Sequence, residues 1–241
     1  HVSRAVLRGA MMKQTISFTD ILAMTLHDTK NSLGILFNNL EDIIAGCRAE
    51  NCARHSDFYT LQYEIQRLNH SLIRLLSLYK AEKSQLAVNI DYHAASDLLE
   101  EAGASHEVLL ASRNITLLTQ CEEDLFWAFD RSLIEGVIDN VINNAFRYAK
   151  TAVKISALEE NEYFVLKIED DGAGYPPGML FNEEKQPDFK QEVDFKTGST
   201  GLGLYFSLMV ADLHVNREKR GFISIANGGS LGGGAFSIYL P

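Results

Sequence analysis

Two stretches of this chain repeat apolar side chains at alternating steps of three and four. Leu22, Leu26, Leu33, Leu36, Leu40 and Ile43 form the first, broken only by Thr29, and Leu61, Ile65, Leu68, Leu72, Leu75 and Tyr79 form the second. Such steps place each set on one narrow stripe of a helix, and a single hairpin of two helices shields such stripes poorly. Gly46 and the polar run "CRAENCARHSD" separate the two helices, and Ser56 or Asp57 offers an N-cap for the second. Two copies packed together would bury all the stripes in a four-helix bundle, so a homodimer through residues 15–86 is expected. The other way to cover the stripes is packing on the rest of the same chain.

After Lys83 the pattern changes, and "AEKSQLAVN" reads as a domain boundary. Residues 1–14 are expected to be a linker, 15–86 the helical hairpin and 87–241 a second domain. In that second domain "SDLLEEAGASHEVLLASRN" reads as helix, "ITLLTQ" as strand, and "DRSLIEGVIDNVINNAFRYAK" as a long helix with Asp130 near its cap. "AVKISALEENEYFVLKIEDDG" alternates like a strand hairpin turning at Glu159 to Glu162. A charged, proline-containing loop runs from Pro176 to Thr197, then "GLGLYFSLMVADLH" reads as helix and "GFISIANGGSLGGGAFSIYLP" as a closing hairpin with a glycine-rich turn. The order of elements implies an α+β layer, with helices on one face of a mixed sheet.

The bulk properties narrow the function. A net charge of −10 over 241 residues argues against nucleic acid or an anionic membrane surface as main partner. Cys47, Cys52 and Cys121 are too few and too unevenly placed for a disulfide framework, which suits a reducing, cytoplasmic setting. Cys47, Cys52 and His55 lack CxxC spacing and a fourth ligand, so a metal cluster is not expected there. The longest uncharged apolar run, Thr197 to Ala211, carries Gly198, Gly201 and Gly203 and falls short of the roughly twenty residues of a membrane span. The first dozen residues have no apolar core of a signal peptide.

Three stretches of the second domain carry chemistry. In "IEDDGAGYPP", Asp170, Gly172 and Gly174 form D-x-G-x-G directly after a strand; in "TGSTGLGLYFS", Gly198, Gly201 and Gly203 lead into a helix. Glycines there let backbone approach a ligand, and a helix start favours anions such as phosphate. Neither is a dinucleotide fingerprint, because Pro177 and Phe206 stand where the third glycine belongs, and no G-x-x-x-x-G-K exists for a P-loop. Taken singly, either motif also fits a glycine turn with no ligand. Asn140, Asn143 and Asn144 sit mid-helix among Val137, Ile138, Val141, Ile142 and Ala145. Asparagine competes for backbone hydrogen bonds inside a helix, so something else must hold these residues there. Asn140 and Asn144 share a face, and a side-chain carbonyl can complete a Mg²⁺ shell made otherwise of phosphate oxygens and water.

In order, "NVINNAFRY", "DDGAG" and "GSTGLGL" resemble the N, G1 and G2 boxes of the Bergerat-type ATP-binding domain. Sensor histidine kinases, type II topoisomerases, the ninety-kilodalton heat-shock chaperone and mismatch-repair ATPases share that domain. The resemblance spans roughly residues 88–241 and implies an α/β-sandwich. It also implies that Asn144 coordinates Mg²⁺ with Asn140 supporting it, and that Asp170 accepts from the adenine amino group while Gly172 and Gly174 line the base pocket. By the same resemblance Arg147 reaches the phosphates, Tyr148 packs near the adenine, and Gly198, Gly201 and Gly203 shape the phosphate cradle. ATP-hydrolysing members generally carry a glutamate where Asn140 stands, so a base for water is missing and transfer to a protein group is implied.

"HDTKN", His27 to Asn31, resembles the H-box of histidine kinases, which points to a sensor histidine kinase of a two-component system. With Leu26 and Leu33 at a positions, His27 falls at b, just outside the seam, and Asn31 lies one turn along the same face. The resemblance implies ATP-dependent phosphorylation of His27, with Asp28 accepting or orienting the imidazole proton, then transfer to an aspartate of a response regulator receiver domain. Asn31 matches the position that helps water dephosphorylate the regulator, implying a second, phosphatase activity. Input would come from a sensor domain or sensory protein absent from this chain. Departures are Ser32 in place of the usual proline, and a lid with no arginine and no evident phenylalanine-centred box; Phe181, Phe189 and Phe195 are its aromatics and Lys185, Lys190 and Lys196 its cations. The alternatives are a degenerate phosphotransfer or scaffold protein whose ATP domain is inactive, and an ATPase clamp, the latter disfavoured by Asn140.

Overall fold

The structure, a computed structural model, describes residues 55–83, 85–185 and 202–241, together with residues 26, 29–31, 33, 34, 36, 37, 40 and 43 of the first helical stretch. The described members of that stretch are helical. Helix α1 spans His55–Glu82, and its end is tied by Lys83 N–H to Tyr79 O at 3.1 Å and Gln85 N–H to Lys80 O at 2.7 Å. Then follow β1 (Asp91–Ala94), α2 (Ala95–Ala111), β2 (Thr116–Cys121), β3 (Phe126–Phe129), α3 (Arg131–Tyr148), β4 (Ala152–Glu160) and β5 (Tyr163–Asp170). After two 3₁₀ turns at Pro177–Met179 and Glu183–Lys185 come α4 (Leu202–Leu213), β6 (Val215–Asn216), β7 (Lys219–Arg220), β8 (Phe222–Asn227) and β9 (Gly234–Leu240).

Five strands form the main sheet in the order β2-β4-β5-β9-β8, with β2 parallel to β4 and the other pairs antiparallel. The register explains why one face is buried. Ala157, Leu166, Ile238 and Ile223 fall in one row across four strands, and Ile155, Ile168, Phe236 and Ile225 in the next. Because strand side chains alternate, the intervening row holds Ser156, Lys167, Ser237 and Ser224 on the opposite face. The apolar rows meet Leu98, Leu99 and Leu110 of α2, Ile134, Ile138 and Ile142 of α3, and Phe206 and Val210 of α4 in one core. Each such buried side chain contributes about 1.5–3 kcal/mol of transfer free energy.

This is the mixed sheet with helices on one face that the order of elements implies. The β4–β5 hairpin turns where expected, through Asn161 (φ 52°) and Glu162 (φ 62°), a pair of left-handed residues whose twist suits a two-residue loop. Two pairings have no counterpart in the sequence reading. Strands β1 and β3 join antiparallel outside the main sheet, placing Phe129 against Phe164 with ring centroids 5.4 Å apart, and β6 and β7 make a short ribbon.

Helix α1 packs against α3 and α4. Leu72, Leu75 and Tyr79 of its stripe are half-buried, whereas Leu61 and Leu68 are about half exposed at 52% and 49%. Packing on the same chain therefore covers part of the stripe and leaves part open. Among the described residues no helix is long and apolar enough to cross a membrane, and no group of His, Cys, Asp and Glu is arranged to hold a metal ion.

Candidate functional site

Helix α3 is the wall on which the site is built. Asp130 caps it: Oδ1 accepts from Leu133 N–H at 3.1 Å and Oδ2 from Asn89 N–H at 2.7 Å. Such a cap stabilises a helix by about 1 kcal/mol and fixes its first turn. Asn140, nearly three turns on from the cap, is only 7% exposed. Its Oδ1 accepts a 2.9 Å hydrogen bond from Nη1 of Arg74 on α1. Gly203, in the first turn of α4, lies so close that a Cβ there would collide with the Asn140 amide, 2.7 Å from its Cγ. Asn144, one turn further along α3, and Arg147, two turns further, are exposed.

The D-x-G-x-G segment turns at the end of β5, directly beside the C-terminus of α3. Asp170 Oδ1 accepts from Gly172 N–H at 2.7 Å and more weakly from Gly234 N–H at 3.4 Å, while its carbonyl accepts from Gly233 N–H at 3.1 Å. A Cβ on Gly172 would run into the Tyr148 carbonyl, so this glycine is what lets β5 and α3 close on each other. Gly174 takes φ +80° and lies against the Asn227 amide, which holds the loop in both directions: it accepts from Tyr175 N–H at 2.7 Å and donates to Tyr175 O at 2.8 Å. Burial and the nearby negative Asp170 push the Tyr175 hydroxyl well above the ordinary phenol range. Asp171 clamps the other side. Burial disfavours its charge, but the Thr151 hydroxyl at 2.6 Å and the N–H groups of Thr151 and Lys150 outweigh it and hold the carboxyl far below its usual range.

Around the Asn140 end of the site the helices are cross-linked. Asp139 of α3 faces His106 Nε2 at 3.1 Å on α2 and His70 Nδ1 at 3.5 Å on α1, while His106 Nδ1 meets the Ala102 carbonyl at 2.9 Å. Desolvation lowers the pKa of His70, with Asp139 opposing. Desolvation also lowers that of Arg74, again against the pull of Asp139.

The structure thus brings Asn140, Gly203, Asp170, Gly172 and Gly174 onto one wall with Asn144, Arg147 and Tyr148. Tyr148 is placed there by its backbone, its side chain being 64% exposed. Asn31 is helical and exposed. His27, Asp28, Gly198 and Gly201 lie outside the described residues, as do Ser32, Phe189, Phe195, Lys190 and Lys196. Of the lid aromatics, Phe181 bridges to Ile225 through paired backbone bonds of 3.2 and 2.9 Å and so belongs to the edge of β8. Residues that sequence reasoning missed are Arg74, Tyr175, Asn227, Gly233 and Gly234. Only the glycines left a trace in sequence, as part of a turn.

A nucleotide with Mg²⁺ fits the donor set. Asn140 and Asn144 offer side-chain carbonyls on one helix face, Gly203 leaves the Asn140 amide free of a Cβ, and buried Nε of Arg74 has no hydrogen-bond partner among the described residues.

Residues 129–241 match the family described as histidine kinase-, DNA gyrase B-, and HSP90-like ATPase. A sensor protein, SrrB of Staphylococcus aureus strain N315, is 25% identical over 199 residues, covering 81% of this chain and 34% of its own length. The chain therefore spans about a third of the curated relatives it matches. Among solved structures, the Acinetobacter baumannii histidine kinase AdeS aligns with TM-score 0.57 at 23% identity, over 84% of this chain and 95% of that one. Full-length ShkA in complex with AMPPNP aligns with TM-score 0.62 at 16% identity, over 92% of this chain and 46% of that one. These likenesses carry the fold.

Fold and site together define residues 129–241 as an ATP-binding domain of the histidine kinase, gyrase B and HSP90 class. Within that class, the relatives and solved neighbours that it matches are a sensor protein and histidine kinases.

Proposed function

We propose that this chain is a histidine kinase core that phosphorylates its own His27 from Mg-ATP and passes the phosphoryl group to an aspartate of a response regulator. The observation that carries the reading is α3, which holds Asn140 and Asn144 between the Asp170 turn and the glycine start of α4. Oδ1 of Asp170 is held by backbone N–H groups, which leaves Oδ2 to accept from the adenine amino group. Asn144 would hold Mg²⁺, with Asn140 supporting the site one turn earlier; when bound, the ion neutralises charge on the transferring phosphoryl group. Arg147 adds positive charge from the same face, and Gly198, Gly201 and Gly203 leave room for the phosphates.

Transfer begins with the lone pair of a neutral His27 ring nitrogen attacking the γ-phosphorus in line. The new N–P bond forms as the bond to the bridging oxygen breaks, and ADP leaves with that electron pair. Asp28 orients or accepts the proton on the other ring nitrogen. The phosphohistidine then gives its phosphoryl group to the regulator carboxylate, and Asn31 aids water in removing it again. Residues 15–86 act as the dimerising and phosphotransfer hairpin, 87–241 as the ATP-binding domain and 1–14 as linker, in the cytoplasm and under a sensor domain or protein outside this chain. Leu36 and Ile43, like Leu61 and Leu68, stand exposed one heptad apart, which supports a second copy as the cover of the stripe.

The test is incubation with γ-labelled ATP. Acid-labile, base-stable label that vanishes in His27→Gln is expected; label that persists in that variant overturns the assignment.

A further inference from the structure

Arg74 belongs to the helix that precedes the ATP domain, yet its guanidinium ends inside that domain's site. Nη1 donates to Asn140 Oδ1 at 2.9 Å and Nη2 to Ser71 Oγ at 3.1 Å, while Nε is buried and has no hydrogen-bond partner among the described residues. Both partners are neutral. Asp139, whose charge acts on Arg74, is engaged by His70 and His106, and no ion pair with Arg74 falls among the described contacts. A guanidinium withdrawn from water with donor capacity left over is costly unless an anion completes its shell. Its planar fork suits phosphate oxygens. The sequence of the lid, from Pro176 to Thr197, contains no arginine that would serve instead.

We propose that Arg74 contacts the terminal phosphate of ATP, so that the hairpin itself completes the nucleotide site. The inference rests on the reading of α3 as the wall of an ATP site. The terminal phosphate is the one assigned because it must face the hairpin that carries its acceptor, and Arg74 enters from that side. Once the terminal phosphate has left, ADP no longer engages Arg74. Preference for ATP over ADP is then set by a residue outside the ATP domain, and it holds only while α1 is docked on α3 and α4.

Calorimetry on the whole 241-residue chain, with Mg²⁺ and either AMPPNP or ADP, tests this on wild type, Arg74→Gln and Arg74→Lys. Arg74→Gln is expected to weaken AMPPNP by between about tenfold and a hundredfold, the range of a hydrogen bond to a charged group, and ADP by less than about threefold. Arg74→Lys should fall between, since it keeps the charge and loses the fork. Equal weakening of both ligands, as a structural defect would give, overturns the inference; so does an unchanged or tighter AMPPNP affinity, the latter marking Arg74 as a plug. Wild type that binds neither ligand overturns the ATP-site reading and this inference with it, whereas wild-type binding unaffected by Arg74→Gln overturns the inference alone.

Discussion

Asn140 shows how a locally unfavourable residue is kept. Asparagine in a helix interior costs at most about 0.7 kcal/mol relative to alanine, whereas a hydrogen bond to a charged donor such as Arg74 is worth about 1.5–3 kcal/mol, so the contact wins. The amide survives in that place only because Gly203 leaves it room. Gly203→Ala is therefore expected to displace Asn140, lower nucleotide affinity at least about tenfold, and cost about 1–3 kcal/mol of stability through overpacking. Gly178, whose added Cβ would meet nothing within 4 Å, supplies the control: Gly178→Ala should change neither quantity. Calorimetry and thermal melting of both variants decide the matter, and equal behaviour of the two would refute the role given to Gly203.

At the scale of elements, α3 and α4 are tied end to end through His214. Its Nδ1–H donates to the Val210 carbonyl at 2.7 Å, and its Nε2 accepts from the Asp130 N–H at 3.0 Å, a pattern that only the neutral ring satisfies. Burial lowers its pKa below the ordinary 6.5, with the Val210 carbonyl and Asp130 opposing. The folded chain thus binds fewer protons than the unfolded one between the depressed value and 6.5, so this stability is present above 6.5 and lost as pH falls through that window. Melting temperature should drop between pH 7.5 and 5.5, and His214→Gln, which donates and accepts without titrating, should flatten the slope. The elements themselves were largely legible in sequence. The Asp130 cap, the turn near Asn161 and the alternation of β4 and β5 are local signals, and local signals survive in one dimension. What was hidden is tertiary: β1 pairs with β3 across the whole of α2, and Arg74 finds Asn140 from another helix. Asn227 and Gly234 reach the Asp170 loop only because β8 and β9 return beside β5.

For the whole molecule, the half-open stripe of α1 predicts assembly. Leu61 and Leu68 remain about half exposed while the inner part of the helix is docked on its own chain, which leaves them free for a second copy to cover. Replacing both by glutamate should leave a monomer in light scattering with nucleotide affinity within about twofold of wild type, because both side chains are about half exposed. A double variant that stays dimeric would remove the stripe from the interface. The sheet order has a further consequence, for how such a molecule is made. Strand β9 follows every other strand in sequence but lies inside the sheet, between β5 and β8. A ribosome delivering the chain from its N-terminus leaves β5 with an unpaired edge until β9 has emerged, and non-local pairings of this kind are slow to close. Gly233 and Gly234 arrive with that strand, so the loop around Asp170 is finished at the same moment as the core. A nascent chain that can hold nucleotide has already completed its sheet.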